Sequence, residues 1–110
     1  MRMTLLEELE REKREASERL RREARERLEC ALRELLPEQI VFVFGSLAQS
    51  GRFHARSDVD LAIFELPGGI SGFSLQSRLE ERLGRPVDLL LLPEHRLKEK
   101  IQREGEMWIV

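Results

Sequence analysis

The sequence has no tyrosine, no asparagine and a single cysteine, Cys30. One cysteine excludes an internal disulfide, so packing must hold the fold, and a reducing cytoplasm suits it best. Long apolar runs are missing too. No stretch reaches membrane-spanning length, and the first residues lack the apolar core of a secretory signal. Both absences argue for a cytoplasmic protein without a membrane role. A charge surplus of one sign is also absent: 19 Lys and Arg face 21 Asp and Glu, for a net charge of -2. Acids and bases are interleaved, which argues against direct DNA binding of the polymerase kind. The lack of Asn and near-lack of Cys, beside abundant Glu, Arg and Leu, point to a thermophilic source. At 110 residues the chain fits one domain with one modest core and leaves no room for a separate substrate domain.

What is present falls into two parts. Thr4-Leu5-Leu6-Glu7 reads as a capping box that opens a long charged helix over 1–36, closed by Pro37. Glu7–Arg11, Glu10–Arg14, Glu15–Arg19, Glu18–Arg22, Glu23–Arg27 and Glu29–Arg33 stand at i,i+4, each worth about 0.2–0.5 kcal/mol on an exposed helix. Leu28, Ala31, Leu32, Leu35 and Leu36 make a convincing buried face, with Cys30 expected to be a small buried neighbour. Upstream only Leu9, Ala16, Leu20 and Ala24 continue the stripe. The C-terminal half is therefore expected to pack on the domain. The N-terminal half is either solvated or a seam for a partner or a second copy, and it is too irregular for a coiled coil.

Residues 38–110 form the second part, read as the catalytic core. Ile40 to Phe44 is apolar throughout, as in a central strand buried on both faces. A loop over 46–57 leads to a second strand, Asp58 to Phe64. Pro67-Gly68-Gly69 breaks the chain. Leu75, Leu79 and Leu83 mark a helix stopped by Gly84. Val87 to Leu92 is a third strand, Pro93 opens a last helix through Glu104, and Met107 to Val110 is a short edge strand. Strands alternating with helices imply an α/β arrangement, a sheet with helices against it.

The chemistry concentrates at Gly45-Ser46 and Ser57-Asp58-Val59-Asp60-Leu61. Residues i and i+2 of a strand share a face, so Asp58 and Asp60 aim together. Two carboxylates held that close repel, and a divalent cation with oxygen ligands, such as Mg²⁺, keeps both ionised. A glycine turn after a strand lets a phosphate approach the backbone, and the Ser46 hydroxyl can bond it. Asp88 is out of place in the apolar run Val87 to Leu92. It is either exposed at the strand's start, bonded to an Arg or an amide, or a third carboxylate beside Asp58 and Asp60 on a neighbouring strand. Arg52 and Arg56 are either phosphate contacts or solvated loop charge. His54 reads as a surface residue without partners, His95 as structural near a helix start, and Trp108 as packing the core's edge.

Phe44-Gly45-Ser46-Leu47-Ala48, Gly51 and Ser57-Asp58-Val59-Asp60-Leu61 resemble the motif of the DNA polymerase beta-like nucleotidyltransferases. The small size is similar to the minimal nucleotidyltransferase (MNT) subgroup. The resemblance covers most of 38–110, with Val87-Asp88-Leu89 as the third-carboxylate strand. It implies a mixed central sheet flanked by helices, with the long N-terminal helix as an addition to which no family role carries over. It implies that Gly45 and Ser46 hold a triphosphate, that Asp58 and Asp60 bind two Mg²⁺ ions, and that Asp88 completes the metal site and helps activate the attacking hydroxyl. The loop 47–57 is one residue longer than the family's common spacing.

The resemblance implies an enzyme that moves a nucleoside monophosphate, AMP from ATP foremost, onto a hydroxyl. MNT proteins often pair with a HEPN-domain protein as the antitoxin of a toxin–antitoxin system, which makes a hydroxyl on that partner the expected acceptor. A partner-binding antitoxin subunit with little or no activity is the alternative, and a small-molecule or tRNA nucleotidyltransferase is a third.

Overall fold

The computed structural model describes residues 2–93 and 95–110. Its elements are α1 (Leu5–Leu35), β1 (Ile40–Phe44), a 3-10 turn (Gly45–Ala48), β2 (Val59–Ile63), α2 (Gly72–Leu83), β3 (Val87–Leu91), α3 (Lys98–Glu104) and β4 (Glu106–Ile109). No helix among the described residues is long and apolar enough to cross a membrane.

α1 begins where expected, with the Thr4 hydroxyl accepting from the Glu7 amide at 3.1 Å. Its 31 residues run for about 46 Å. Ala24, Leu28, Ala31 and Leu32 are buried, whereas Leu5, Leu6 and Leu9 are exposed. The uneven apolar stripe thus marks how far the helix lies on the domain. Cys30 corrects the expectation of burial: it is exposed. Two residues beyond Leu28 it has turned about 200° away from the packed face. Of the six anticipated i,i+4 pairs, Glu29–Arg33 is the one that closes among the described residues, at 2.6 Å. Glu18 turns to Arg21 and to a distant loop.

The sheet runs β3-β2-β1-β4. β1 is antiparallel to β2 and β4, and β2 is parallel to β3. The mixed sheet expected from the family resemblance is present. Alternation sorts its side chains into two faces. Val41, Val43, Val59, Leu61, Ile63 and Val87 join α1 and the Leu75, Leu79 and Leu83 stripe of α2 in the main core. Gly84, at φ +68°, ends α2 in the left-handed conformation that favours glycine. The opposite face holds a smaller cluster of Phe42, Ala62, Leu92 and Ile101, flanked by Phe44 and Leu90. There the Phe42 and Phe64 rings meet edge to face, 6.0 Å apart. One face is therefore packed by two helices, while α3 reaches the other through Ile101.

Several boundaries differ from expectation, among them β2 ending at Ile63 instead of Phe64 and β4 spanning Glu106–Ile109 instead of Met107 to Val110. β2 starts at Val59, one residue after Asp58, and β3 stops at Leu91. The last helix begins at Lys98 and not at Pro93. Between them the chain turns twice, with His95 N–H donating to Leu92 at 3.0 Å and Lys98 N–H to His95 at 3.1 Å. The His95 ring takes the Leu97 amide at 3.1 Å, a local bond that competes with helix formation. That is the structural role anticipated for His95. Trp108 packs half-buried against the main core, with Arg25 stacked 5.0 Å above its ring.

Candidate active site

The parallel register of β2 and β3 sets Asp60 directly beside Asp88. The strands are about 4.8 Å apart, so both carboxylates leave the same face of the sheet as neighbours. Asp58 stands one residue before β2 and is exposed, as is Asp88. Asp60 is half-buried, and its pKa records the crowding. Burial pushes the carboxyl from 3.8 up to about 6, and the charges of Asp88 and Asp58 add to the rise. Asp88 therefore takes the exposed start of its strand and, at once, a place beside Asp60. Two of the alternatives left open by the sequence, the exposed start and the place beside Asp60, are one arrangement.

Gly45 closes this corner from β1. Phe44, the last residue of β1, pairs with Asp60 across the antiparallel register. Gly45 then turns at φ +70° into the 3-10 turn. A Cβ there would collide with the Asp60 Oδ2 and lie 3.2 Å from its Cγ. Glycine is required twice over, by the left-handed backbone and by the carboxylate packed against it. The two halves of the motif thus touch. Ser46 follows in the turn, half-buried.

The rest of the loop is anchored rather than free. Phe53 is fully buried and plugs into the main core. Arg85 lies 4.4 Å over its ring and donates to the carbonyls of His54 at 3.1 Å and Ser57 at 3.0 Å. The Ser57 hydroxyl accepts from the His54 amide at 2.9 Å. These contacts hold the chain just ahead of Asp58. On the other side, residues 17, 18, 21 and 25 of α1 bond residues 47–53. Sequence reasoning passed over Phe53 and Arg85 and gave Glu18 to Arg22, for their actual partners lie far off along the chain. A lone Phe in a polar loop was the one local signal.

Arg52 and Arg56 lie in the same loop and are exposed. His54 is exposed as expected, but it has a partner after all: its Nδ1 accepts from the Arg56 amide at 3.1 Å. Beside Gly45 opens a cleft of about 340 Å³ whose walls include Phe44, Gln49, Leu97, Lys100 and Glu104. Lys100, on α3, brings a cation to that cleft, and no local pattern marked it. A larger cavity, about 610 Å³, lies away from the aspartates, between α1 and β4. Its walls mix Arg21, Arg22 and Arg25 with Glu18, Glu26 and Glu29, so it carries no net attraction for an anion.

Asp58, Asp60 and Asp88 offer only oxygen donors, which suits a hard cation such as Mg²⁺ better than a soft metal. Among the described residues no three His, Cys, Asp or Glu side chains are drawn tightly enough to hold an ion as they stand. The exposed Asp58 and Asp88 side chains have room to turn toward Asp60, whose pKa is raised first by its burial and then by their charges. The residues fit such an ion by the chemistry of their donors.

Comparison with known proteins agrees with this geometry. The family described as "Polymerase beta, Nucleotidyltransferase" matches residues 26–109. No curated protein matches the chain. A chain from a solved structure, "Crystal structure of the toxin-antitoxin with AMP-PNP", is similar at 26% identity and a TM-score of 0.59. The similarity covers 77% of this chain and 73% of that one. The minimal subgroup named from the sequence is consistent with that likeness. The match spans the turn, the aspartates, the whole sheet and the last third of α1, and the chain belongs to the polymerase beta nucleotidyltransferase family.

Proposed function

We propose that this chain is a Mg²⁺-dependent nucleotidyltransferase that moves AMP from ATP to a hydroxyl on a partner protein, as the antitoxin of a toxin–antitoxin pair. One observation carries the reading: the register that sets Asp60 beside Asp88, with Gly45 packed on the Asp60 carboxylate. Asp58, Asp60 and Asp88 would hold Mg²⁺. The ion supplies charge neutralisation and polarisation of the phosphate when bound. The chain's own residues do the positioning. The Gly45–Ala48 turn lets phosphate oxygens approach the backbone and the Ser46 hydroxyl, and the neighbouring cleft with Lys100 has room for the rest of the nucleotide. Arg52 and Arg56 are exposed on the adjoining loop and are within the site's reach only if an acceptor or phosphate comes to them from solvent.

The similar solved structure, a toxin–antitoxin with AMP-PNP, supports both the nucleotide and the partner. A HEPN-type toxin is the partner proposed. This chain offers such a partner the exposed N-terminal half of α1 and the site mouth, and an interface of ordinary size needs about 800 Å² per side. A second reading, an antitoxin that neutralises by binding alone, is favoured by the open arrangement of the aspartates.

The test is to coexpress the product of the neighbouring gene, purify the pair, and incubate it with α-labelled ATP and Mg²⁺. Label on the partner that disappears with Asp58→Asn is the expected result. A tight complex without label leaves the binding-only antitoxin. Label on a free small molecule or tRNA, without a complex, overturns both.

A further inference from the structure

α1 does more than cover the core. Its face at residues 17, 18, 21 and 25 grips the loop that follows Ser46. Glu18 Oε1 accepts from the Ser50 hydroxyl at 2.7 Å and from the Gly51 amide at 2.9 Å. The Ser17 hydroxyl donates to the Phe53 carbonyl at 2.6 Å. Arg21 Nε donates to the Leu47 carbonyl at 2.8 Å, and Arg25 Nη1 donates to the same oxygen at 3.3 Å. Arg21 Nη1 lies 3.3 Å from Glu18 Oε2, which ties the two grips together. The bonds from Ser50 and Gly51 hold the Glu18 carboxyl below its usual range, so it is ionised and accepting at neutral pH.

Apart from Arg25, which also bonds Glu106 and stacks on Trp108, these polar contacts are separate from what fixes α1 to the domain. Ala24, Leu28, Ala31, Leu32 and Leu36 provide that apolar attachment. The gripping residues act on 47–53, the segment that leaves the Gly45–Ala48 turn. Left loose, such a segment would have to be ordered when a triphosphate binds, at a cost in conformational entropy. Two guanidinium donors on one carbonyl orient the Leu47 peptide plane, and with it the turn before it.

We propose that Glu18 and Arg21 are positioning residues for the nucleotide, holding the Gly45–Ala48 turn ready for phosphate through the 47–53 segment without touching the nucleotide themselves. This rests on the function proposed above. It gives the long N-terminal helix a task in binding and not only in packing.

The experiment compares full-length Glu18→Ala and Glu18→Gln with the parent. ATP affinity is measured calorimetrically with Mg²⁺, and the Gly51 amide is followed by hydrogen exchange. Glu18→Ala should weaken ATP binding about five- to tenfold and speed Gly51 exchange, in a protein that still melts cooperatively. Gln keeps a carbonyl acceptor for both bonds and should restore most of the affinity. Glu10→Ala, on the exposed half of the helix, should change neither reading. Should Glu18→Ala fail to fold, Ser50→Ala removes one of the two donors and decides in its place, with affinity expected to fall about two- to threefold. Unchanged affinity in the deciding variant, or an equal loss in Gln and Ala, overturns the inference. A parent that binds no ATP with Mg²⁺ overturns the proposed function and this inference together, whereas a binding parent with unaffected variants overturns the inference alone.

Discussion

Replacing Asp60 by Asn should make the metal-free protein more stable at neutral pH. The carboxyl is pushed from 3.8 up to about 6 by its burial and by the charges of Asp88 and Asp58. At full strength that displacement corresponds to about 3 kcal/mol against the charged form. Asp60 is half-buried, so solvent screens part of the effect, and about 1–2 kcal/mol is the expected gain on removing the charge. The sign follows from proton uptake. With its pKa raised on folding, Asp60 binds its proton more tightly in the folded state. Between 3.8 and about 6 the folded protein carries more protons than the unfolded chain, and its stability falls as pH rises through that window. Above about 6 the penalty is complete, and below 3.8 it is gone. Asn carries no charge at any pH. Thermal unfolding in a chelating buffer at about pH 7.5 should therefore show Asp60→Asn melting about 4–8 °C above the parent. At about pH 4.5 the gain should shrink by more than half. A variant less stable than the parent at the higher pH, or a gain that does not shrink at the lower one, would refute the electrostatic account and make Asp60 a structural residue. Added Mg²⁺ should raise the melting temperature of the parent much more than that of the variant.

Two other substitutions test the corner from its remaining sides. Gly45→Ala places a Cβ against the Asp60 carboxylate at φ +70°, so it should cost about 1–2 kcal/mol in denaturant unfolding and abolish Mg²⁺-dependent ATP binding in protein that remains folded. Retained ATP affinity would show that the turn is not the phosphate site. Phe53→Ala empties a fully buried position and should destabilise by about 3–5 kcal/mol, read as a lower urea midpoint at constant slope; a loss below about 1 kcal/mol would mean that the loop is not anchored through that ring.

Much of this protein was legible because its signals are local. A strand alternates with period two, so Asp60 had to leave the face opposite Val59 and Leu61 wherever β2 lay; Asp58, one residue ahead of the strand, reaches Asp60 through its charge. The stripe on α1 thins upstream of Ala24, and the burial of the helix thins with it. Gly84 and Thr4 end and begin helices through backbone chemistry contained within a few residues. Composition held a further clue. The chain has only three aspartates, Asp58, Asp60 and Asp88, and its other carboxylates are all glutamates. Glu suits exposed helices, whereas the short Asp side chain keeps a carboxylate close to its backbone. Concentrating every Asp at one corner is what a built site requires.

Tertiary structure decided the rest. Local pattern could make Val87 to Leu91 a strand, but the parallel pairing that puts Asp88 next to Asp60 depends on α2 carrying the chain back across the sheet. It could make residues 5–35 a helix and pair Glu18 with Arg22, yet Glu18 instead reaches Ser50 and Gly51, 32 and 33 residues away. No periodicity announces such a bond, because it exists only once β1 and α1 are packed and the loop has come back over the helix. Cys30 shows the same limit at short range: Leu28 and Ala31 close by are buried, but the helix rotation and the location of the sheet put Cys30 in solvent. Period and capping specify the elements of this fold; which carboxylates meet, and which helix holds the loop, follow from packing over distances that local chemistry does not span.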